Sequence, residues 1–258
     1  MADMPGVYLL LGRDPDPRRI LAGKGTLGGV MAVEPGELAA LALCGGLSAE
    51  QLSRLATLFH PRAVGAGVHL VLAEQPSEVV YLIRGGTVKV TIVQEDGVEV
   101  ILGLQGPGEL VGEMGAIDRQ GRSANVVTLE ACTILWIERD AFVASLETMP
   151  PLTLNVLRLL SRRLRLANGQ LVAMAALDVY GRVARQVLGF AQEYGEPADG
   201  GVRIPLRLTQ GDLASLVGAS RVQVNKVIVT YKRLRYLSID PQFRITVLNR
   251  EALAQRCR

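Results

Sequence analysis

The chain has 258 residues, 49% of them hydrophobic and 21% charged, enough apolar material to bury cores and too much for wholesale disorder, at a length that favours two domains over one. No apolar run approaches the roughly 18 residues that cross a bilayer, and Asp3 stands where a secretory leader wants a basic start, so the sequence predicts a cytoplasmic protein without a membrane partner. The net charge of +3 is unevenly spread: from Tyr180 onward 13 Lys and Arg meet 6 Asp and Glu, against 15 and 19 before it. A basic module joined to a mildly acidic one suits a phosphate-backbone binder with a separate sensing half, although charge alone fits an RNA or membrane-surface binder as well.

The first forty or so residues are rich in Gly and Pro and carry no sustained period, which predicts an extension, part of it disordered. Gly23, Gly25 and Gly28 spell a lone GxGxxG there. Arg18-Arg19 before it and Pro35-Gly36 after it are not the strand and helix a dinucleotide site needs, so the loop reading is preferred. Ser48 to Phe59 reads as a short helix capped by Ser48, with Leu52, Leu55 and Leu58 at helical spacing. The period then changes to two. Val79 to Ile83, Thr87 to Val93, Val98 to Leu102 and Thr133 to Ile137 read as strands separated by glycine-bearing turns, a pattern that suggests a β-roll or jelly roll.

Between those strands, Gly112-Glu113-Met114-Gly115-Ala116-Ile117-Asp118-Arg119-Gln120-Gly121-Arg122-Ser123-Ala124 predicts a helical turn opening near Gly112, where backbone N–H groups face an anion and glycine lets a ligand come close. Arg122 brings a planar fork for phosphate, Glu113 an acceptor for a ribose hydroxyl, and Ser123 a hydroxyl donor. Taken bare, a Glu and an Arg nine apart are more often a surface ion pair.

A long helix is predicted from about Pro151 to Leu177. Leu157, Leu160, Leu164, Ala167, Leu171 and Met174 alternate at spacings of three and four, the seam of a coiled coil, which packs on its own domain or, as preferred here, on a second copy in a parallel homodimer. Further on, Thr209 caps one helix with Asp212 three residues later, Gly218 supplies a turn and Ser220 caps a second helix. Leu213, Leu216, Val217, Val224 and Val227 or Ile228 make the core between them. Thr209, Gln210, Ser220, Arg221, Val222, Gln223, Asn225 and Lys226 form the candidate DNA-reading set of a helix-turn-helix, with an ordinary helical hairpin bearing a polar face as the alternative. Cys44, Cys132 and Cys257 are too scattered for a disulfide framework or for four-thiolate ligation, and no metal is expected.

GEMGAIDRQGRSA resembles the phosphate-binding cassette of cyclic-nucleotide-binding domains. LTQGDLASLVGASRVQVNK resembles the helix-turn-helix of the cyclic AMP receptor protein family, and LSRRLRLANGQLVAMAALDVYGR is similar to that family's dimerisation helix and hinge. The resemblance covers residues 45 to 250 with the three motifs in family order. It implies an α+β fold in which an N-terminal cyclic-nucleotide-binding β-roll (45–150) follows the extension (1–44) and leads through a dimerisation helix and hinge (151–178) to a winged helix-turn-helix (179–258).

It also implies roles for single residues. Glu113 would hold the ribose 2′-hydroxyl and Arg122 the cyclic phosphate of cyclic AMP, with Gly112 and Ser123 on the phosphate side, Met114 within the cassette, and Arg163 approaching from the long helix. Ala167-Asn168 stand where the enterobacterial receptor has Thr-Ser against the adenine. Ala167 cannot hydrogen-bond through its side chain, which leaves the choice between cyclic AMP and cyclic GMP open. Arg221-Val222 replace the family's Arg-Glu at the start of the recognition helix, so the base preference there is expected to change or relax. The resemblance further implies double-stranded DNA as partner and contact with RNA polymerase through the loop from Glu193 to Val202.

It implies, too, a ligand-driven shift through the hinge near Ala175 to Asp178 that sets two recognition helices about 34 Å apart. Competing readings are a haem or iron-sulfur sensor, an enzyme, and a constitutive DNA-binding protein with a vestigial or different effector site. No general base, nucleophile pair or metal cluster is visible for an enzyme, and His60 and His69 read as structural.

Overall fold

The computed structural model describes residues 32–257. The helix α1 (Pro35–Ala39), a 3₁₀ turn (Ala42–Cys44) and α2 (Ala49–Leu58) come first. The start of α2 is fixed by a reciprocal cap: Gln51 N donates to Ser48 Oγ at 3.2 Å and Ser48 N donates to Gln51 Oε1 at 2.9 Å, so two otherwise orphaned donors are paired. The sequence-based reading of 1–44 as an extension is corrected from Val33 onward. Val33, Leu38, Leu43 and Cys44 are buried in one cluster with Leu55, Phe142, Leu152 and Val156. The lone GxGxxG at Gly23, Gly25 and Gly28 lies outside the described residues.

Eight strands follow: β1 (His60–Val64), β2 (His69–Val71), β3 (Val79–Gly85), β4 (Val88–Val93), β5 (Glu99–Gln105), β6 (Leu110–Val111), β7 (Asn125–Thr128) and β8 (Cys132–Glu138), with the short helix α3 (Glu113–Asp118) between β6 and β7. They form two antiparallel sheets, ordered β1-β8-β3-β6 and β2-β7-β4-β5. Strand β3 is buried along Val79 to Ile83 without alternation. Val79, Tyr81 and Ile83 face the space between the sheets, while Val80 and Leu82 face the helices, so both faces are covered and the run is apolar throughout. The turn from β3 to β4 needs Gly86: its φ is +83°, and a Cβ there would stand 2.6 Å from Cys132 Sγ.

The sheet-covering helices are α4 (Arg139–Thr148) and the first half of α5 (Pro150–Ala176). Leu152, Val156 and Leu159 bury into the same core as α1 and α2, and Asn155 Nδ2 donates to the carbonyls of Leu43 and Gly45 at 2.9 and 2.8 Å. The seam predicted along α5 therefore divides. Leu160 packs on its own β-roll, whereas Leu157, Leu164, Leu171 and Met174 are half or more exposed.

Helix α5 stops at Ala176, and α6 (Val179–Tyr194) restarts with Asp178 as its cap, Gly181 N donating to Asp178 Oδ1 at 2.8 Å. The remainder comprises β9 (Glu196–Ala198), β10 (Gly201–Arg203), α7 (Gln210–Val217), α8 (Arg221–Arg233), β11 (Leu237–Ile239), β12 (Ile245–Val247) and α9 (Arg250–Gln255). Its sheet runs β11-β12-β10-β9. The loop predicted from Glu193 to Val202 is in fact the end of α6 and most of the β9–β10 hairpin. Ile101 and Leu104 of β5 are buried in the same cluster as Leu216 and Val217 of α7, so the C-terminal half leans on the β-roll. Among the described residues no helix is long and apolar enough to cross a membrane, and no group of three His, Cys, Asp or Glu side chains is placed to hold a metal.

Candidate effector cavity and DNA interface

The cassette is built around a backbone position that tolerates no side chain. Strand β6 ends at Val111, and Gly112 turns the chain with φ +83° and ψ 5° before α3 begins. A Cβ on Gly112 would lie 2.2 Å from Arg122 Nη1, so the glycine makes room for the guanidinium. Arg122 is buried and spends two of its donors on carbonyls, Nη2 to Val79 at 2.7 Å and Nη1 to Gly112 at 3.0 Å. Its backbone is tied as well: Arg122 N donates to Gln75 O, and Glu74 N to Arg122 O. Burial lowers the pKa of the guanidinium from its ordinary value, which marks a cation held where water solvates it poorly.

Glu113, also buried, accepts from Arg163 Nη1 at 2.6 Å. Burial pushes its carboxyl above the usual carboxylate range, while Arg163 pulls the other way. Gly112, Glu113, Met114, Arg122, Ser123, Arg163 and Ala167 all line one cavity of about 680 Å³, a size usual for a small-molecule site. Met114 and Ser123 are exposed at its wall. Asn168 is not part of it. It is exposed on the helix, although Ala167 before it and Gly169 after it both line the cavity.

Arg182, Gln186 and Phe190 of α6 close the cavity from the C-terminal half. Sequence reasoning named none of these, nor Glu109 and Arg162, which pair beside Arg163. Their relation to the cassette is long-range and leaves no local signal.

The helix-turn-helix is shaped by two reciprocal caps. Asp212 N donates to Thr209 Oγ1 at 3.1 Å, and Thr209 N returns the bond to Asp212 Oδ2 at 2.9 Å. Ser220 and Gln223 do the same at the head of α8. Between them Gly218 takes the left-handed conformation, φ +59°, as a C-capping glycine does. Leu213, Leu216, Val217, Val224, Val227 and Ile228 are all buried, fixing one helix on the other.

Arg221, Val222, Gln223, Asn225 and Lys226 project on the exposed side of α8. Gln223 is only partly available, because its Oε1 is held by the Ser220 cap; Thr209 and Ser220 are likewise engaged as caps. Gln210 Nε2 donates to Asn225 Oδ1 at 3.0 Å, linking the two helices. Beyond α8 the β11–β12 hairpin forms a wing, with the Arg207 guanidinium 5.3 Å from the centre of the Phe243 ring beside it.

Comparison with known proteins assigns both halves. Residues 61–149 match the cyclic nucleotide-binding domain family and residues 181–256 the Crp-like helix-turn-helix domain family. The chain is 34% identical over 191 residues to the CRP-like cAMP-activated global transcriptional regulator of Mycobacterium tuberculosis, covering 74% of this chain and 85% of that one. It is 30% identical over 183 residues to the cyclic AMP receptor protein of Thermus thermophilus, covering 71% and 82%. The fold resembles that of the c-di-GMP responsive global regulator CLP of Xanthomonas campestris, with a TM-score of 0.64 at 24% identity over 78% of this chain and 99% of that one. A CooA variant from Carboxydothermus hydrogenoformans has a TM-score of 0.68 at 18% identity, over 90% and 97%. The chain belongs to the CRP/FNR family, non-enzymatic transcription regulators with a cyclic nucleotide-binding domain and a helix-turn-helix that binds DNA.

Proposed function

We propose that the chain is a cyclic-AMP-responsive, sequence-specific DNA-binding regulator that acts as a homodimer in the cytoplasm. The observation that carries this reading is the buried Arg122 guanidinium, oriented by two carbonyls in the same cavity as the Glu113 carboxylate. A buried cation beside a buried acceptor suits a ligand with an anionic phosphate and neighbouring hydroxyls. Arg122 then takes the phosphate, Glu113 a ribose hydroxyl, and Gly112 and Ser123 flank the phosphate, with Met114, Arg163 and Ala167 around the rest. The cyclic-AMP-activated regulator of Mycobacterium tuberculosis, similar over three quarters of the chain, supports the choice of nucleotide.

In this reading residues 45–150, joined by 33–44, bind the nucleotide. Residues 151–178 dimerise through Leu157, Leu164, Leu171 and Met174, and 179–258 read double-stranded DNA through Arg221, Val222, Asn225 and Lys226, with RNA polymerase met at the β9–β10 hairpin. Ala167 favours a second reading, a constitutive regulator of the same fold, because its methyl group offers a base no hydrogen bond. Calorimetric titration with cyclic AMP and, separately, cyclic GMP decides between them. Saturable binding of cyclic AMP that Arg122→Ala abolishes is expected. Heat from neither nucleotide moves the assignment to the constitutive reading and leaves DNA binding standing.

A further inference from the structure

Five charged side chains form an unbroken alternating chain from the cassette to the DNA-binding half. Glu113 of α3 accepts from Arg163 Nη1 at 2.6 Å. Arg163 Nη2 donates to Glu109 Oε2 at 2.8 Å and to the Leu110 carbonyl at 2.6 Å. Glu109 also pairs with Arg162 Nη2, and Arg162 Nη1 reaches Glu193 Oε1 at 2.5 Å. The two arginines belong to α5, Glu109 and Glu113 to the β-roll, and Glu193 to the last turn of α6. Glu113 and Glu109 are 3% and 8% exposed and Glu193 19%, against 23% for Arg163 and 40% for Arg162, so the carboxylates are shielded from solvent more than in ordinary surface pairs, and the chain is most open to water at Arg162. The same end of α6 is docked a second way: Tyr194 Oη donates to the Leu104 carbonyl at 3.3 Å, and its ring lies where a Cβ on Gly106 would touch it at 3.4 Å.

Three carboxylates share two guanidinium groups, so no acid keeps its full share if one cation is drawn away. Resting on the cyclic-nucleotide reading above, we propose that Glu109, Arg162 and Glu193 are coupling residues, and that a cyclic phosphate entering at Arg122 loosens the Arg162–Glu193 clasp that holds the DNA-binding half against the β-roll. The incoming anion attracts Arg163 and weakens its hold on Glu109. Glu109, buried and left with one cation, draws Arg162 to itself. Glu193 is then a half-buried carboxylate beside another carboxylate, and the end of α6 separates from β5. A nucleotide whose binding opens the clasp binds more tightly to a chain whose clasp is already open, so a change that opens the clasp tightens nucleotide binding.

The experiment uses the full chain with Glu193→Gln, which keeps the shape of the side chain and removes its charge, and with Glu196→Gln as a control for charge at the same edge. Cyclic AMP affinity by calorimetry and amide hydrogen exchange over residues 103–105 and 190–194 are measured for each. Glu193→Gln is expected to speed exchange in both segments without nucleotide and to tighten cyclic AMP binding by about fivefold or more, the lower end of typical intersite coupling. Glu196→Gln is expected to change neither. Adding Arg162→Gln to Glu193→Gln is expected to give a smaller shift in exchange at 190–194 than Arg162→Gln gives alone, as for residues in one network. Binding of cyclic AMP that Glu193→Gln leaves within twofold overturns the coupling, and unchanged exchange overturns the clasp itself. If the unsubstituted chain gives no heat with either nucleotide, the effector reading fails and nucleotide coupling falls with it, while exchange alone still decides the clasp.

Discussion

Gly112→Ala tests the construction of the cassette without removing any functional group. Two costs arise. The first is backbone strain: an L-residue at φ +83° costs about 1–2 kcal/mol. The second is steric, since the new methyl would stand 2.2 Å from Arg122 Nη1 and must displace it. A buried guanidinium that shifts loses good geometry to the Val79 and Gly112 carbonyls, at roughly 1.5–3 kcal/mol for each hydrogen bond to a charged group. Losing one of the two brings the total to about 2.5–5 kcal/mol.

Gly108→Ala separates the costs. Its φ is +86°, yet nothing lies within 4 Å of where its Cβ would be, so it carries the strain alone, about 1–2 kcal/mol. Urea unfolding of both variants, read as midpoint at constant slope, is expected to show Gly112→Ala less stable than Gly108→Ala by about 1.5–3 kcal/mol. Cyclic AMP binding is expected to be lost only in Gly112→Ala. Equal stability of the two variants, with cyclic AMP bound equally well, would refute the claim that Gly112 exists to seat Arg122.

Three further outcomes are expected. Leu164→Glu with Leu171→Glu, both on the exposed stripe of α5, should give monomers by sedimentation and weaken operator binding by about a hundredfold through loss of two-site attachment; a dimer that persists counts against this seam. Val222→Glu should shift the base selected opposite the head of α8 by about 1–3 kcal/mol of discrimination, because a carboxylate accepts from cytosine where valine makes only apolar contact; an unchanged selected motif counts against this docking. The third outcome concerns pH. Burial raises Glu113 in the native state, so between its unfolded and native values the native chain binds more protons, and stability falls as pH rises through that window. Urea midpoints taken across it should show that slope, and Glu113→Gln should flatten it.

What the sequence made legible was local. The caps at Ser48, Thr209 and Ser220 are written within three residues of their partners, and so both helices of the DNA-reading pair could be bounded in advance. Strands β3, β4, β5 and β8 carry enough β-branched and apolar residues to declare themselves, although β5 runs on to Gln105, past the predicted Leu102. Strands β1, β2, β6 and β7 were not predicted. His60-Pro61-Arg62-Ala63-Val64 pairs in full with β8, yet its composition is that of a turn, and only the neighbouring strand makes it a strand.

The segment from Val33 to Cys44 misled in a similar way: Gly and Pro are frequent in the stretch before it, while its few leucines find partners on a helix more than a hundred residues away. In the cassette, the identities of Glu113 and Arg122 were readable. That Arg163 already engages Glu113, and that Gln223 is spent on a cap, were not, because both depend on which donor lies nearest once the chain has closed.

The bonds from Asn155 to Leu43 and Gly45 also bear on the order in which the chain acquires its structure during synthesis. The wall formed by α1 and α2 has no floor until α5 has left the ribosome, at a rate of about 5–20 residues per second. The strands through β8 must wait several seconds, at this scale, with one face open. The segment after Asp178 draws most of its core from its own residues and faces no such delay. A nascent chain arrested before Pro150 would therefore expose the apolar side of β3 and β8, and α5 serves as the closing piece of the β-roll before it serves as anything else.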